Sequence, residues 1–409
     1  MKAYLSYRPT KENCLITIPG SKSESNRLLI LKALYPNLKI NNLSNSDDTV
    51  SLQKGLKVKN GTVDIHHAGT AMRFLTAYFS STKGLEIILT GSQRMQERPI
   101  KILVTALKSL GANIQYINKE GYPPIKIIGK QLNQSSVNLN ANVSSQYISA
   151  LMLVAPSLPY GLIINLKGKV TSVPYINMTL DLLKKVGVSG EFLNNQIKIQ
   201  PLKIINNTSI NVESDWSSAS YYYSLVALSE NRTVTLKNYS ENSLQGDSEV
   251  VSIYKKLGVE TTFNASDHSI QLKKSKKFIS KPLHLNLNKT PDIAQTIAVT
   301  CFGMGVYCKL DGLKTLKIKE TDRLVALKSE LEKLGASVVI SEESLEVFPS
   351  EIINKNITIE TYQDHRMAMA FTPLSLKIPL IINNPDVVTK SYNSFWNDFR
   401  KMGIQAEIK

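Results

Sequence analysis

Residues 315–323, Thr-Leu-Lys-Ile-Lys-Glu-Thr-Asp-Arg, bring three cations and two carboxylates into one short segment. Lys317 and Lys319 share a side if the segment is extended, and Arg323 lies one helical turn beyond Lys319 if a helix starts at Glu320 or Thr321. The free N–H groups and dipole of a helix start favour negative charge, so fixed cations beside one suit a phosphate or a carboxylate. Taken alone, such a run also fits a solvated charged turn. Three further segments embed cations among small or apolar residues and shift the balance: Pro19-Gly20-Ser21-Lys22-Ser23-Glu24-Ser25-Asn26-Arg27, Gly91-Ser92-Gln93-Arg94-Met95-Gln96-Glu97-Arg98-Pro99 and Asp364-His365-Arg366-Met367-Ala368-Met369.

Other residues around these segments have chemistry of their own. Lys22, Ser23 and Arg27 surround a helix start, with Ser21 or Ser23 as its cap and Arg27 one turn beyond Ser23. Ser144, Ser145 and Gln146 offer hydroxyl and amide groups ahead of the apolar run Ala150-Leu151-Met152-Leu153-Val154. Gly69, in the turn Ala68-Gly69-Thr70, would let a ligand approach the backbone. Asp292 follows Pro291 and precedes Ile293-Ala294-Gln295-Thr296-Ile297-Ala298, the pattern of a helix cap. Arg73 and Arg94 are read as structural ion-pair partners. The run Asp215-Trp216-Ser217-Ser218-Ala219-Ser220 reads as a helix start capped by Asp215 or Ser214.

The chain must be large enough to position all of these. Its 409 residues suit two domains of about 200 each rather than one core. Hydrophobic residues make up 42% and charged residues 20%, an ordinary globular composition that argues against disorder. Lys and Arg number 49 against 33 Asp and Glu, a formal net charge of +16, which implies an anionic partner. No RNA-binding aromatic signature and no zinc-finger spacing accompanies that charge, so nucleic acid is a minor reading. Cys14, Cys301 and Cys308 form no CxxC pair and are expected to be buried in a protein of a reducing compartment. The first residues lack the apolar core of a signal peptide, and no apolar run is long enough to span a bilayer. The expectation is a soluble cytoplasmic protein.

One pattern recurs: a Lys- or Arg-bearing helix end, then glycine, then a small or β-branched residue leading into a strand. It appears at Gly111, Gly187, Gly258, Gly335 and Gly403, with a degenerate first copy that has Lys57 in the glycine position. Glycine just past a helix accepts the left-handed conformation that closes the last turn, and nearby cations offset the helix dipole. Six copies at intervals of roughly 70 residues describe a repeated unit of helices and strands, three to a domain.

The four cationic segments, with Ala68-Gly69-Thr70-Ala71-Met72-Arg73, Val143-Ser144-Ser145-Gln146, Ser172-Val173-Pro174-Tyr175 and Pro291-Asp292, occur in the order found in 5-enolpyruvylshikimate-3-phosphate (EPSP) synthases, and the chain resembles that family from Pro19 to Lys390. The resemblance implies an α/β fold of two similar lobes, each of three βαβαββ units, in the inside-out α/β barrel arrangement of the enolpyruvyl transferases. The lobes would comprise residues 20–213 and residues 1–19 plus 214–409, with the chain crossing near Pro19-Gly20-Ser21 and near Glu213-Ser214-Asp215. Gly20 would give the first crossing a flexible turn.

The implied reaction moves the enolpyruvyl group of phosphoenolpyruvate to the 5-hydroxyl of shikimate-3-phosphate through a tetrahedral adduct, releasing phosphate, on the route to chorismate and the aromatic amino acids. By resemblance, shikimate-3-phosphate would meet Lys22, Ser23, Arg27, Ser144, Ser145, Gln146, Ser172, Tyr175, Asp292 and Lys319. Phosphoenolpyruvate would meet Lys22, Gly69, Arg98, Gln146, Arg323, Arg366 and Lys390. Arginine suits this task because its planar fork meets carboxylate or phosphate through two parallel hydrogen bonds. Asp292 would be the base for the hydroxyl, Glu320 and Lys22 the carbon-side pair, and His365 a further group at the reacting atoms. No cofactor and no metal is implied, and the partners are the two substrates alone, with no nucleic acid, no membrane and a monomeric chain. His67, Phe74, Val173 and Thr315 depart from residues common in the family. The related UDP-N-acetylglucosamine carboxyvinyltransferase would need a reactive loop cysteine in an Arg-Cys context, which none of the three cysteines has.

Overall fold

The computed structural model describes residues 1–10, 13–140, 144–168, 170, 173–275, 279 and 281–409. The chain divides into two compact units, Gly20–Val212 and Met1–Pro19 with Glu213–Lys409. Its order of elements follows the sixfold repeat. In the discontinuous unit, Leu283–Asn286 pairs parallel with Cys308–Asp311 across the helix Ala294–Gly303. The helix Arg323–Lys333 follows, and then the antiparallel hairpin Ser337–Ile340/Ser344–Phe348 closes a four-stranded sheet.

The other two sheets of this unit repeat that plan with interruptions. Asn13–Thr17 lies parallel to Thr233–Lys237, although the whole Gly20–Val212 unit and the helix Trp216–Leu228 intervene in sequence. Lys2–Tyr7 supplies the final strand of the third sheet, between Leu380–Asn383 and Ile404–Ile408. In the Gly20–Val212 unit, the sheets beginning at Asn60–Asp64 and Ser136–Asn140 follow the full βαβαββ plan. Its third sheet has two strands, Ser209–Asn211 and Lys39–Asn41. Among the described residues it has no hairpin: the helix Asp47–Leu56 leads within a few residues into Asn60–Asp64.

The turn chemistry tracks this difference. Gly111, Gly187, Gly258, Gly335 and Gly403 have φ of 102°, 91°, 79°, 100° and 85°, the left-handed turn that a following strand requires. Lys57 stays right-handed at φ −83°. At the first crossing Gly20 serves close packing rather than flexibility, since a Cβ there would lie 1.9 Å from the Asn42 carbonyl oxygen.

The first helix of each repeat is the inner one. Trp216–Leu228 is buried along its whole length, and His365–Phe371 and almost all of Ala294–Gly303 are buried too. Lys22–Leu34, Gly69–Ser81 and Ser145–Val154 play the same part in the other unit. A helix that is apolar or small on every side can be surrounded by other elements. Its hydroxyls are satisfied locally: Ser220 Oγ donates to Ser217 O at 2.6 Å and Thr300 Oγ1 to Thr296 O at 2.6 Å. Among the described residues no helix is long and apolar enough to cross a membrane. Cys301 and Cys308 are buried as expected, whereas Cys14, on a strand, is only half-buried.

Candidate active site

In the Gly20–Val212 unit, side-chain contacts tie the first turns of the inner helices together. The Ser21 hydroxyl caps Lys22–Leu34, accepting from Glu24 N at 3.5 Å, and Ser144 caps Ser145–Val154, accepting from Gln146 N at 3.3 Å. Gln146 Nε2 donates to Thr70 Oγ1 at 3.3 Å, joining that start to the start of Gly69–Ser81. These caps are hydroxyls; Ser145–Val154 has no acidic residue in its first turn, whereas Lys22–Leu34 has Glu24 in its own.

Three arginines of this unit, Arg27, Arg73 and Arg98, make no ion pair with a carboxylate among the described residues. Arg27, 3% exposed, donates to Thr179 Oγ1 at 2.8 Å, Ser23 O at 2.8 Å and Ser149 Oγ at 3.0 Å. The rings of Phe74 and Tyr175 face it at 5.6 and 5.9 Å. Burial pushes its guanidinium down to about 10. The aromatic residue at position 74 thus supplies a face for Arg27. Arg98 is half-buried with its guanidinium over Gly69, where a Cβ would lie 2.7 Å from Nη1. Lys22, by contrast, has Nζ 3.5 Å from the buried Asp48.

The discontinuous unit arranges the same helix starts with the opposite charge. Asp215 caps Trp216–Leu228, accepting from Ser218 N at 2.8 Å, and Asp364 caps His365–Phe371, accepting from Arg366 N at 2.9 Å. Arg323, 2% exposed, reaches three carboxylates: Nε to Asp364 Oδ2 at 2.6 Å, Nη1 to Asp292 Oδ1 at 3.0 Å and Nη2 to Glu320 Oε2 at 2.9 Å. Lys390 Nζ donates to Glu320 Oε1 at 2.7 Å, and Lys319 Nζ lies 3.4 Å from Asp292 Oδ1. Arg366 donates to Asp292 O at 3.0 Å and Asp292 Oδ2 at 3.2 Å.

Burial pushes the Asp292 carboxyl up, but Arg366, Lys319 and Arg323 outweigh it and hold the group well below the usual carboxylate range. Burial likewise opposes, and Arg323, Lys390 and His365 outweigh, so that Glu320 is also held well below it. The Arg323 guanidinium is pushed up by its three carboxylates despite its own burial. Both carboxylates are therefore ionised acceptors at neutral pH, each in contact with more than one cation.

A family profile described as EPSP synthase (3-phosphoshikimate 1-carboxyvinyltransferase) matches residues 50–399. The chain belongs to the EPSP synthase family. A 3-phosphoshikimate 1-carboxyvinyltransferase of Bacteroides fragilis is 44% identical over 409 residues, spanning 99% of both chains. One from Actinobacillus pleuropneumoniae is 34% identical over 426 aligned positions, spanning 95% of this chain and 96% of the other. The fold is similar to the solved EPSP synthase of Acinetobacter baumannii, with a TM-score of 0.81, 20% identity and full coverage of both chains.

Several residues expected to form the EPSP synthase site are grouped within each unit. Lys22, Ser23, Arg27, Gly69, Arg98, Ser144, Ser145, Gln146 and Tyr175 lie in Gly20–Val212, on or beside the inner helix starts and the Arg27 pocket. Asp292, Lys319, Glu320, Arg323, Arg366 and Lys390 form one connected ion-pair group in the other unit. His365 is 2% exposed, with Nδ1 3.6 Å from Asp364 Oδ1. Ser172, which the resemblance assigned to the shikimate ligand, falls outside the described residues.

Four local expectations are corrected. Asp292 is not a helix cap: it sits in the 3-10 turn Pro291–Ile293, and its carboxylate is committed to cations. The helix after Glu320 starts at Arg323, capped by Asp322, because the Asp322 carboxylate accepts from Leu324 N and Val325 N at 3.1 and 3.2 Å. Lys317 and Lys319 do not share a strand face, since Lys314–Ile318 is a 3-10 turn that sends Lys317 to the exposed Glu342. Arg94 pairs with Glu97 at 3.0 Å as expected, but Arg73 makes no ion pair among the described residues and instead donates to Gly69 O at 3.1 Å and Pro99 O at 3.4 Å.

Sequence reasoning assigned no role to Asp364, Thr70, Ser149 or Thr179. Asp364 stood beside His365 in a recognised segment, and its hydroxyl-free, acidic side chain ahead of an apolar helix was the available signal. The other three are ordinary helix hydroxyls whose partners lie far away in sequence.

Proposed function

We propose that this chain is a 3-phosphoshikimate 1-carboxyvinyltransferase, transferring the enolpyruvyl group of phosphoenolpyruvate to the 5-hydroxyl of shikimate-3-phosphate and releasing phosphate. The full-length likeness to curated enzymes of that name carries the reading. The charge distribution supports it, because two anionic substrates require two sets of cations.

In this reading the Gly20–Val212 unit takes the acceptor's phosphate with Ser23, Arg27, Ser144 and Ser145, and its ring with Gln146, Ser172 and Tyr175. Arg98 and Gly69 meet the donor, together with Arg323, Arg366 and Lys390. Lys22 contacts both substrates, and Lys319 and Asp292 meet the acceptor. The 5-hydroxyl oxygen bonds to C2 of the donor as its proton passes to Asp292, and a proton added to C3 turns the methylene into a methyl group in a tetrahedral adduct. Loss of a methyl proton and departure of phosphate then regenerate the double bond. Glu320 and Lys22 serve the carbon-side proton transfers. His365, buried close enough to lower the Glu320 carboxyl, tunes that group.

The reading further takes the protein as a cytoplasmic monomer that needs no cofactor. A phosphate-release assay with phosphoenolpyruvate and each of two acceptors tests the function. Release is expected with shikimate-3-phosphate; release only with UDP-N-acetylglucosamine would overturn the proposal.

A further inference from the structure

Asp247 is a second carboxylate behind the discontinuous unit's charge cluster. It lies in the 3-10 turn Gly246–Glu249 and is 8% exposed. Its Oδ1 accepts from Thr290 Oγ1 at 2.6 Å, and its Oδ2 accepts from the Ser217 hydroxyl. Among the described residues no cation lies within ion-pair distance of it, so a buried carboxyl rests on two hydroxyls. Such burial is unfavourable, and a neutral side chain could serve the same hydroxyls.

Both hydroxyls lead to Asp292. Thr290 is two residues before it in the same turn. Ser217 Oγ accepts from Arg366 Nη2 at 3.3 Å, the same nitrogen that donates to Asp292 Oδ2 at 3.2 Å. Asp247 therefore holds the segment that carries Asp292 and, through Ser217, the guanidinium that pairs with it. We infer that Asp247 is a positioning residue for the transfer reaction, holding the Asp292 segment through Thr290 and aiming Arg366 at Asp292 through Ser217. This inference rests on the proposed role of Asp292 as base.

The electrostatics fit that role. Asp292 faces Arg366, Lys319 and Arg323, with Glu320 and Asp247 as the like charges nearby. Three cations alone would leave it a poor base, since Brønsted behaviour favours a base nearer the working pH. Burial, then the charge of Asp292, push the Asp247 carboxyl up, against Arg366 and its two hydroxyl donors. The repulsion acts between the two carboxylates, so an ionised Asp247 opposes the three cations at Asp292.

The test uses the full chain, with Asp247→Asn and Ser217→Ala compared to the parent. Asp247→Asn removes charge but keeps shape and one acceptor. Expected for Asp247→Asn is a kcat lowered on the order of 10- to 100-fold, less than the roughly 10²–10⁴-fold that a proton-transfer group itself contributes. Its KM for shikimate-3-phosphate should stay within about threefold, and the acid limb of its kcat profile should move to lower pH. Ser217→Ala keeps the Asp247 charge, so its acid limb should stay in place while the KM for phosphoenolpyruvate rises. A parental kcat and unmoved acid limb in Asp247→Asn would overturn the inference. So would a loss of rate that merely follows a loss of thermal stability, with the profile unchanged. Failure of the underlying reading is separate: it would show as no phosphate release by the parent, or as near-normal turnover of Asp292→Asn.

Discussion

The two units build the same device and charge it oppositely. In Gly20–Val212 two of the inner helices start with hydroxyl caps, and Arg27, Arg73 and Arg98 make no ion pair among the described residues. In the discontinuous unit carboxylates cap two of the starts, and Arg323 alone reaches three more or less buried acidic side chains. A cation without an anion is ready for a phosphate at once. A cation already paired gives the ligand less, but its partners stay ionised and available for proton transfer. In the proposed reaction this becomes a division of labour: one half would hold charge, and the other half would also move protons.

The sharpest way to break this contrast is to delete one arginine from each half. Arg323→Met leaves Asp292, Glu320 and Asp364 without their shared cation, and the expected loss is about 3–5 kcal/mol of stability, read by denaturant unfolding. Arg27→Met should leave the ligand-free protein within about 1 kcal/mol of the parent, because Ser149 and Thr179 keep each other at 2.9 Å and the aromatic faces accept a thioether. Equal costs for the two variants would erase the distinction.

Asp292→Asn probes the proton-moving half, and turnover should fall at least about a hundredfold while calorimetry still detects shikimate-3-phosphate. Arg27→Met probes the holding half, where the acceptor's affinity should drop by about 10- to 100-fold, the worth of a charged hydrogen bond or two. A smaller effect belongs to Gly69→Ala. The added methyl would meet Arg98 Nη1 at 2.7 Å and push the guanidinium aside, so the KM for phosphoenolpyruvate should rise by roughly tenfold or less with stability unchanged. An unchanged KM would place Arg98 outside the donor's reach.

Acid should separate the halves more gently. Asp292 and Glu320 are held below their unfolded range, so their contribution is complete above that range and is lost as pH falls through the folded values. Stability is expected to decline below about pH 5, as the unfolded chain takes up protons first. Glu320→Gln should flatten that decline in pH-dependent unfolding; an identical slope would mean that other carboxylates set it.

Much of the fold was legible because it repeats. Glycine past a lysine-rich helix end announces a left-handed turn, and the five such glycines adopt it. The degenerate copy misled, since the repeat with Lys57 was expected to be a full unit and among the described residues it has no hairpin. The cations of the site were legible because charge among small residues is costly to keep without a use. Their pairing was not. Arg323 finds Asp364 across 41 positions, and Arg366 finds Asp292 across 74, contacts that only the packing of inner helices creates. The cap expected of Asp292 failed for a related reason. Local pattern predicted a local partner, whereas the surrounding cations outbid the backbone.

The strand Lys2–Tyr7 sits between Leu380–Asn383 and Ile404–Ile408, and Asn13–Thr17 waits for Thr233–Lys237. During synthesis from the amino end, these early strands leave the ribosome long before either neighbour exists. Gly20–Val212 can meanwhile gather all of its own strands. The enclosing unit must keep two unpaired edges soluble until the last stretch emerges, a hazard because open strand edges invite pairing with other chains. Tyr4 and Leu15 are exposed apolar side chains on those strands, while Lys2 and Asn13 are polar positions at their starts. A ribosome stalled before residue 380 would thus carry one finished body and one that cannot yet close.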